Sequence, residues 1–198
     1  MNQNRIIITG TIGSGKSTLA NILSKMGYLV IDSDKVNSLL LEKGNKNYQA
    51  IKESGLFDED FNGEILDKKK LAQIIFSDKE KMMILNRLTH KNIISTIEKK
   101  IEDSKNSIVF VEVPLFFSME EEILHDEVWL VDAKRDIQIK RLMDRDNISY
   151  DYAIKKLESQ SKRNQMIEGS DFIFDNSSDI EFLKNQLIKK LKEVENKL

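Results

Sequence analysis

The chain has 198 residues and a formal charge of −2, with 40% hydrophobic and 32% charged residues. These values are typical of one soluble globular domain and argue against a basic nucleic-acid-binding protein. The sequence has no cysteine and only two histidines, which excludes disulfides and thiolate metal sites and leaves too few ligands for a dedicated zinc site, whereas oxygen-bound Mg²⁺ stays possible.

Short apolar runs predict five buried strands, at Ile6–Thr9, Leu29–Ile31, Ile108–Val113, Val128–Val131 and Phe172–Phe174. Patterns of helical length lie between and after them, at Lys16–Met26, Asp34–Lys43, Asp67–Phe76, Asp78–Lys105, Arg135–Asp146, Ser149–Gln160 and Ile180–Asn196. Strands separated by helices predict an α/β fold with a parallel sheet of about five strands flanked by helices.

The spacing of these elements indicates a single domain, 1–198, with two helical excursions. One excursion lies between the second and third strands, and the other precedes the last strand. No apolar run approaches the roughly 18 residues that a membrane span requires. We therefore expect a cytoplasmic protein without nucleic-acid or membrane partners, present as a monomer or weak homo-oligomer.

A glycine-rich loop joins the first predicted strand to the first predicted helix. Gly10, Gly15, Lys16 and Ser17 match the phosphate-binding pattern G-x-x-x-x-G-K-[ST], in the strand–loop–helix setting that the pattern requires. Backbone amides of such a loop surround phosphate oxygens, its lysine reaches the β- and γ-phosphates, and its serine hydroxyl binds Mg²⁺. We therefore predict ATP and Mg²⁺ as ligands, with contacts from Gly13, Ser14, Gly15, Lys16, Ser17 and Thr18. A threonine in the first helical turn also commonly serves only the local backbone, so Thr18 has both interpretations.

Acidic residues follow several predicted strands. Asp32 and Asp34 come after the second strand, where an aspartate would accept the proton of an acceptor hydroxyl or hold a magnesium-bound water. The alternative is that one of them caps the next helix. Glu112 and Asp132 each end an apolar run, as the carboxylate that holds Mg²⁺ through water does in many ATP-using enzymes. We prefer Glu112 for that role and expect Asp132 to start a helix.

Two arginines lie four residues apart on one helical face. Arg141 and Arg145 would neutralise charge on a transferred phosphoryl group if this helix belongs to a lid over the nucleotide. The alternative is ion pairing with acids such as Asp144 or Asp146. His90 lies inside a long predicted helix, where a lone histidine is more often structural than a ligand contact.

An ordered set of segments resembles the dephospho-coenzyme A kinase family. The matching segments run nearly the length of the chain: "TGTIGSGKST", "GYLVIDSDKV", "LAQIIFSD", "LTHKNI", "VEVPLFF", "VDAKRDIQIKRLMDRDNIS", Gln160 and "SDFIFDNSS". The resemblance implies a P-loop kinase that transfers the γ-phosphoryl group of ATP to the ribose 3′-hydroxyl of dephospho-coenzyme A, the last step of coenzyme A synthesis. It also implies a core (about 1–35, 106–134 and 166–198), an acceptor-binding helical region (36–105) and a lid (135–165).

The same resemblance implies roles for particular residues. Asp34 would be the base on the acceptor side, Lys16 the phosphate clamp, and Arg141 and Arg145 lid contacts. His90 would lie near the acceptor, and Asn176 near the adenine. We also expect Asp32 to bind the acceptor, and the residues alone leave open which of Asp32 and Asp34 is the base. The chain departs from the family's usual residues at seven positions: Thr11, Lys68, Lys91, Glu112, Ser118, Lys156 and Met166.

Two alternative functions would use the same glycine-rich loop to bind a nucleotide. One is another small-molecule kinase of the same fold, acting for example on nucleosides or nucleotides. The other is a nucleotide-binding switch of the GTPase type. The guanine-reading pattern N-K-x-D is missing, because "NKNY" at Asn45 lacks the aspartate and precedes the relevant strands, so the kinase is the preferred function.

Overall fold

A computed structural model describes residues 3–119, 121–159 and 163–197. Gln160 lies outside these residues. The strands are β1 (Asn4–Thr9), β2 (Leu29–Asp32), β3 (Phe61–Asn62), β4 (Ile65–Leu66), β5 (Ile108–Glu112), β6 (Glu127–Asp132) and β7 (Phe172–Asp175). The helices are α1 (Lys16–Lys25), α2 (Ser33–Leu40), α3 (Lys46–Ser54), α4 (Lys68–Ser77), α5 (Lys79–Glu102), α6 (Arg135–Asp146), α7 (Tyr150–Glu158), α8 (Arg163–Glu168) and α9 (Ile180–Glu195).

The main sheet has five strands in the order β2-β5-β1-β6-β7. β1 lies at its centre and runs parallel to β5 on one side, with Ile8 opposite Glu112, and to β6 on the other, with Thr9 opposite Leu130. β6 in turn runs parallel to β7. The predicted parallel sheet of about five strands, flanked by helices, is confirmed. Because every residue of β5 is buried, continuous rather than alternating apolarity marks its sequence.

The chain divides into two compact units, Met1–Ile31 with Asn106–Leu198, and Asp32–Lys105. In the first unit, the central strands pack against α1 and α9 through a core that contains Ile6, Phe110, Trp129 and Leu187. In the second, α3, α4 and α5 share a smaller core around Ile51, Phe57 and Leu85. Among the helices that the structure describes, none combines the length and apolarity needed to cross a bilayer.

Among the described helices and strands, those that the sequence did not predict include α3, the β3–β4 hairpin and the short helix α8. The α3 sequence "KNYQAIKES" has only three apolar residues, Tyr48, Ala50 and Ile51, too few for a clear amphipathic stripe. The hairpin turns at Gly63, which has a φ of 62°, and its two-residue strands are too short to show alternation.

Candidate nucleotide-binding site

The glycine loop connects the central strand β1 to α1, and its backbone depends on glycine. Gly15 caps α1 in the left-handed conformation, with φ 98° and ψ 28°, a region that other residues enter at a cost. A Cβ added to Gly15 would lie 2.0 Å from Nδ2 of Asn176, and one added to Gly10 would lie 2.3 Å from the carbonyl oxygen of Val131. The loop is therefore packed closely against the end of β6 and against Asn176, the residue that follows β7.

The start of α1 presents a positive field to whatever enters the loop. The first turn of a helix leaves its amides without intrahelical acceptors, and the aligned peptide dipoles add positive charge at the same end. The first turn of α1 contains no acidic residue that would cancel this charge. Ser17 is exposed there, whereas the Thr18 amide already donates to the Gly15 carbonyl at 3.0 Å. The contacts of both side chains with phosphate stay predictions.

The side chain of Lys16 folds back over the loop. Its Nζ donates to the carbonyl oxygens of Gly10 at 2.8 Å and Thr11 at 3.2 Å. The ammonium group is partly buried by these contacts and lies at the beginning of the loop, although Lys16 itself follows the loop in sequence. The full positive charge of Lys16 therefore adds to the partial positive charges of the loop amides, and its role in binding phosphate stays a prediction.

Arg141 and Asn176 hold the outer side of the loop. Arg141 Nη1 lies 3.4 Å from the carbonyl oxygen of Gly13 and 3.3 Å from that of Ser14, and Nη2 donates to the Asn176 carbonyl at 2.9 Å. Asn176 is only 5% exposed, and its Nδ2 donates to the Ser14 carbonyl at 2.8 Å. The structure thus brings Arg141 and Asn176 to the predicted nucleotide loop, where both bind its backbone.

Gln138 joins the loop to the end of β6. It is 3% exposed, and its Nε2 donates to Thr11 Oγ1 and to the Ala133 carbonyl, each at 3.0 Å. Thr11 is one of the departures from the family's usual residues, and its hydroxyl is the group that Gln138 binds. The Thr11 hydroxyl therefore links the glycine loop to Gln138 on α6.

Asp132 forms an ion pair instead of starting a helix. The Arg163 guanidinium on α8 binds both of its carboxylate oxygens, with Nε 3.3 Å from Oδ1, and the residue that caps α6 is Lys134. The expectation that Asp132 starts a helix was wrong because two further residues separate β6 from α6. A cleft of about 480 Å³ lies beside this pair, lined by Thr11, Ala133, Arg135, Gln138, Leu157, Glu158 and Arg163.

Sequence reasoning missed Arg163. It lies in a short helix that has no periodic signal, and nothing in the sequence pairs it with Asp132, 31 residues earlier. The one available signal was its basic side chain just before the last predicted strand, within a charged excursion.

Glu112 lies next to the strand that leads into the loop. It is the last residue of β5 and is 9% exposed. It stands opposite Ile8, and the following amide, that of Val113, donates to the Ile8 carbonyl at 2.9 Å. This register places a carboxylate at the loop end of the neighbouring strand, and its role in holding a cation stays a prediction.

Arg145, one turn after Arg141, makes an ion pair on the surface. Its guanidinium donates to both oxygens of Asp146, at 2.7 and 3.1 Å, and Lys156 donates to the same carboxylate at 2.9 Å. These hydrogen bonds, from Arg145 first and Lys156 second, hold the pKa of Asp146 well below its ordinary value. The ion-pairing alternative therefore describes Arg145 as the structure has it, and its predicted contact with nucleotide stays a prediction.

The second compact unit contains the remaining predicted site residues. Asp32 ends β2 and caps α2, because its Oδ1 accepts a hydrogen bond from the Lys35 amide at 3.0 Å. Asp34 is exposed in the first turn of α2, and His90 is half-buried in α5. The capping alternative thus applies to Asp32, and Asp34 lies in the first turn of the helix that Asp32 caps.

Comparisons with known proteins agree on one family. A family model described as dephospho-CoA kinase matches residues 5–181. The dephospho-CoA kinase of Carboxydothermus hydrogenoformans is 34% identical over 187 residues, which cover 91% of this chain and 89% of that protein. Among solved structures, a protein from Thermus thermophilus is 28% identical with a TM-score of 0.84 over 98% of both chains. The dephospho-CoA kinase of Campylobacter jejuni is 28% identical with a TM-score of 0.63 over 97% of both. The chain belongs to the dephospho-CoA kinase family.

Proposed function

We propose that this protein transfers the γ-phosphoryl group of ATP to the ribose 3′-hydroxyl of dephospho-coenzyme A and so makes coenzyme A. The observation that carries the proposal is the family match over residues 5–181, together with a glycine loop whose backbone is shaped for a polyphosphate. In the reaction, a bond forms between the acceptor oxygen and the γ-phosphorus, and the bond from that phosphorus to the β–γ bridging oxygen breaks. The products are coenzyme A and ADP.

The loop residues would bind and orient the triphosphate. Amides of Gly13, Ser14, Gly15 and the first turn of α1 would surround the phosphate oxygens, and Thr18 would add a hydroxyl. Lys16 Nζ, held 2.8 Å from the Gly10 carbonyl, would exchange its carbonyl contacts for phosphate oxygens. Its charge would then offset the negative charge that accumulates on the β–γ bridge as the bond breaks.

Arg141 and Asn176 would support the nucleotide from the other side of the loop, with Asn176 beside the adenine and Arg145 reaching the phosphates. Arg141 already binds the carbonyl of Ser14. By family resemblance, Asp34 would take the proton of the acceptor hydroxyl, with Asp32 and His90 binding the acceptor. Phosphoryl transfer depends on positioning and charge more than on covalent chemistry, so these few groups suffice.

Mg²⁺ is the cation that this donor set favours. The hydroxyl of Ser17 and the carboxylate of Glu112 are hard oxygen donors, and the chain has no cysteine to favour a softer metal. When bound, Mg²⁺ would neutralise phosphate charge, with Ser17 as its direct ligand from the protein.

We further propose that the enzyme works in the cytoplasm as a monomer or weak homo-oligomer. Light scattering over a range of protein concentrations tests the second part. A mass that stays at a stable dimer or larger down to nanomolar concentration would contradict it.

A coupled assay of ADP formation tests the activity. With ATP and Mg²⁺, addition of dephospho-coenzyme A is expected to raise ADP release well above the rate without acceptor, and the product should have the mass of coenzyme A. A panel of nucleosides and nucleotides tested with the same preparation serves as the control. If the protein binds ATP but turns over only with another acceptor, the chain is a kinase of different specificity.

A further inference from the structure

Three asparagines form a continuous chain of side-chain amides through the second compact unit. Asn92 Nδ2 on α5 donates to Asn47 Oδ1 on α3 at 2.9 Å, and Asn47 Nδ2 donates to Asn37 Oδ1 on α2 at 3.0 Å. Asn92 Nδ2 also lies 3.5 Å from the carbonyl oxygen of Leu88 in the preceding turn of α5. We call Asn37, Asn47 and Asn92 the asparagine chain.

Asn47 is the central member, and its position is unusual for an asparagine. Its side chain is fully buried, at 0% exposure, and polar groups of this type mostly lie at the surface. Both functional atoms of its amide have partners of the matching kind, since its oxygen accepts from Asn92 and its nitrogen donates to Asn37. A buried polar group is tolerated when it is satisfied in this way.

The cluster that joins α3, α4 and α5 is apolar, and its contacts are much less directional. Tyr48, Ile51, Leu71 and Leu85 form the cluster that holds α3, α4 and α5 together. Apolar contacts of this kind allow small rotations of one helix against another at little cost, because the hydrophobic effect has no preferred direction. Hydrogen bonds have a preferred geometry and resist such rotations. The asparagine chain can therefore fix the rotation of α2, α3 and α5 against one another, which apolar contacts alone would allow to vary.

The two ends of the asparagine chain lie on the two helices that carry the predicted acceptor-side residues. Asn37 is one turn after Asp34 on α2, and Asn92 is two residues after His90 on α5. A helix is rigid over such short distances, so fixing its rotation at one residue fixes the direction of neighbouring side chains. The asparagine chain thereby ties the orientation of Asp34 to that of His90 through α3.

We propose that Asn47 is a positioning residue for the acceptor, one that sets the mutual orientation of Asp34 and His90 without touching the substrate. The proposal rests on the proposed function, because it takes dephospho-coenzyme A as the acceptor. Beyond the proposed function, we infer that the second compact unit needs the polar link among α2, α3 and α5 to bind the acceptor, and does not need it for folding alone.

The test compares Asn47→Leu with Tyr48→Phe in the full chain. Leucine keeps the branched shape and the four side-chain heavy atoms of asparagine, although it is larger, and it leaves Asn37 Oδ1 and Asn92 Nδ2 without Asn47 as a partner. Tyr48 is the next residue of α3, is 4% exposed, and donates from its hydroxyl to the Glu64 carbonyl at 2.6 Å. Tyr48→Phe thus removes one partly buried hydrogen bond from the same helix while leaving the asparagine chain intact.

Asn47→Leu is expected to lower kcat/KM for dephospho-coenzyme A about tenfold, at a temperature where far-UV circular dichroism shows a folded protein, with the Kd for ATP unchanged within about twofold. Tyr48→Phe is expected to lower the melting temperature and to leave kcat/KM for the acceptor within twofold. An unchanged kcat/KM in Asn47→Leu would overturn the proposal, as would an equal loss in Tyr48→Phe or an equal weakening of ATP binding.

Asn92→Ala decides the matter if Asn47→Leu does not fold, because Asn92 is only half-buried and its loss keeps the Asn47–Asn37 bond. The same selective loss of acceptor kcat/KM, in the range of threefold to tenfold, is then expected, and its absence would overturn the proposal. Failure of the proposed function looks different, since the unmutated protein would then show no turnover with dephospho-coenzyme A.

Discussion

Arg141 and Asn176 share one acceptor, the backbone carbonyl oxygen of Ser14, at 3.3 and 2.8 Å. A trans peptide directs its carbonyl and its amide to opposite sides. Arg141 and Asn176 hold the Ser14 carbonyl pointing toward themselves. The Gly15 amide, which belongs to the same peptide, therefore points away from them. The arginine that the sequence suggested as a phosphate contact is, in this structure, also a brace for the loop backbone.

Arg141→Lys is expected to raise KM for ATP about tenfold. Lysine keeps the charge but lacks the planar fork that reaches several carbonyls at once. Steady-state kinetics with varied ATP measures the change. Arg135→Lys is the matched control, because Arg135 lies on the same helix and makes one exposed ion pair, with Glu158 at 2.9 Å. Equal KM values for the two variants would show that the brace does not matter for nucleotide binding.

Gly15→Ala is expected to abolish measurable ATP binding. The added methyl group would meet Asn176 Nδ2 at 2.0 Å, at a φ of 98° that alanine adopts only with strain. Isothermal titration calorimetry with a non-hydrolysable ATP analogue measures the loss.

Gly27→Ala separates the steric effect from the backbone strain. Gly27 has a similar φ of 92° but has no atom within 4 Å of the added Cβ. It should lose about 1 kcal/mol of stability and bind the analogue as the unmutated protein does. Weakened binding in both variants would mean that general destabilisation, and not the contact with Asn176, is the cause.

Lys16→Ala is expected to lower kcat by about 100-fold or more while leaving the fold intact. The substitution deletes a full charge at the predicted phosphate site, and the lysine ammonium donates to two loop carbonyls, those of Gly10 and Thr11. Activity and thermal unfolding measured on one preparation check both halves of the statement. Lys25→Ala, in the last turn of the same helix, should keep full activity. Retained turnover in Lys16→Ala would reject the proposed site.

Lys190→Met is expected to lower the free energy of unfolding by about 3 kcal/mol, because it leaves a largely buried carboxylate without its closest cation. The side chains of Lys190 and Glu127 are 8% and 13% exposed and their charged groups lie 2.9 Å apart. Chemical denaturation measures the effect. Lys184→Met removes an exposed pair with Glu181 and should cost less than about 1 kcal/mol; a similar cost for both would contradict the importance of burial.

The same carboxylate makes stability depend on pH. Burial alone would raise the pKa of Glu127, but hydrogen bonds from Trp129, Lys190 and Lys197 outweigh it and hold the pKa below the ordinary 4.5. The stabilisation that ionised Glu127 gives to the folded state is therefore complete above about pH 4.5, and it is lost as the pH falls through the folded-state pKa of Glu127. The difference in unfolding free energy between the unmutated protein and Glu127→Gln should shrink between pH 6 and pH 3.5. A difference that stays constant would contradict this account.

The sheet and the loop could be predicted from sequence because their signals are local. The run "RIIITG" ahead of "SGKST" contains both a buried strand and the turn that follows it. The asparagine chain could not be predicted, because Asn47 looks like a surface residue until α2 and α5 are packed beside it. The partners of Arg141 and Arg163 could not be predicted either, because they lie more than 30 residues away in the sequence. Sequence shows that a side chain is charged but not whether it meets a phosphate, a carboxylate or a carbonyl.

The central place of β1 has a consequence for biosynthesis. This strand is synthesised before both of its neighbours, which come more than 100 residues later, at Ile108–Glu112 and Glu127–Asp132. Long-range pairing of this kind delays folding. A nascent chain that ends before β6 contains the complete glycine motif but lacks β6, β7 and the two residues that bind the loop backbone, Arg141 and Asn176. The ability to bind ATP should therefore arise only after these parts have been synthesised.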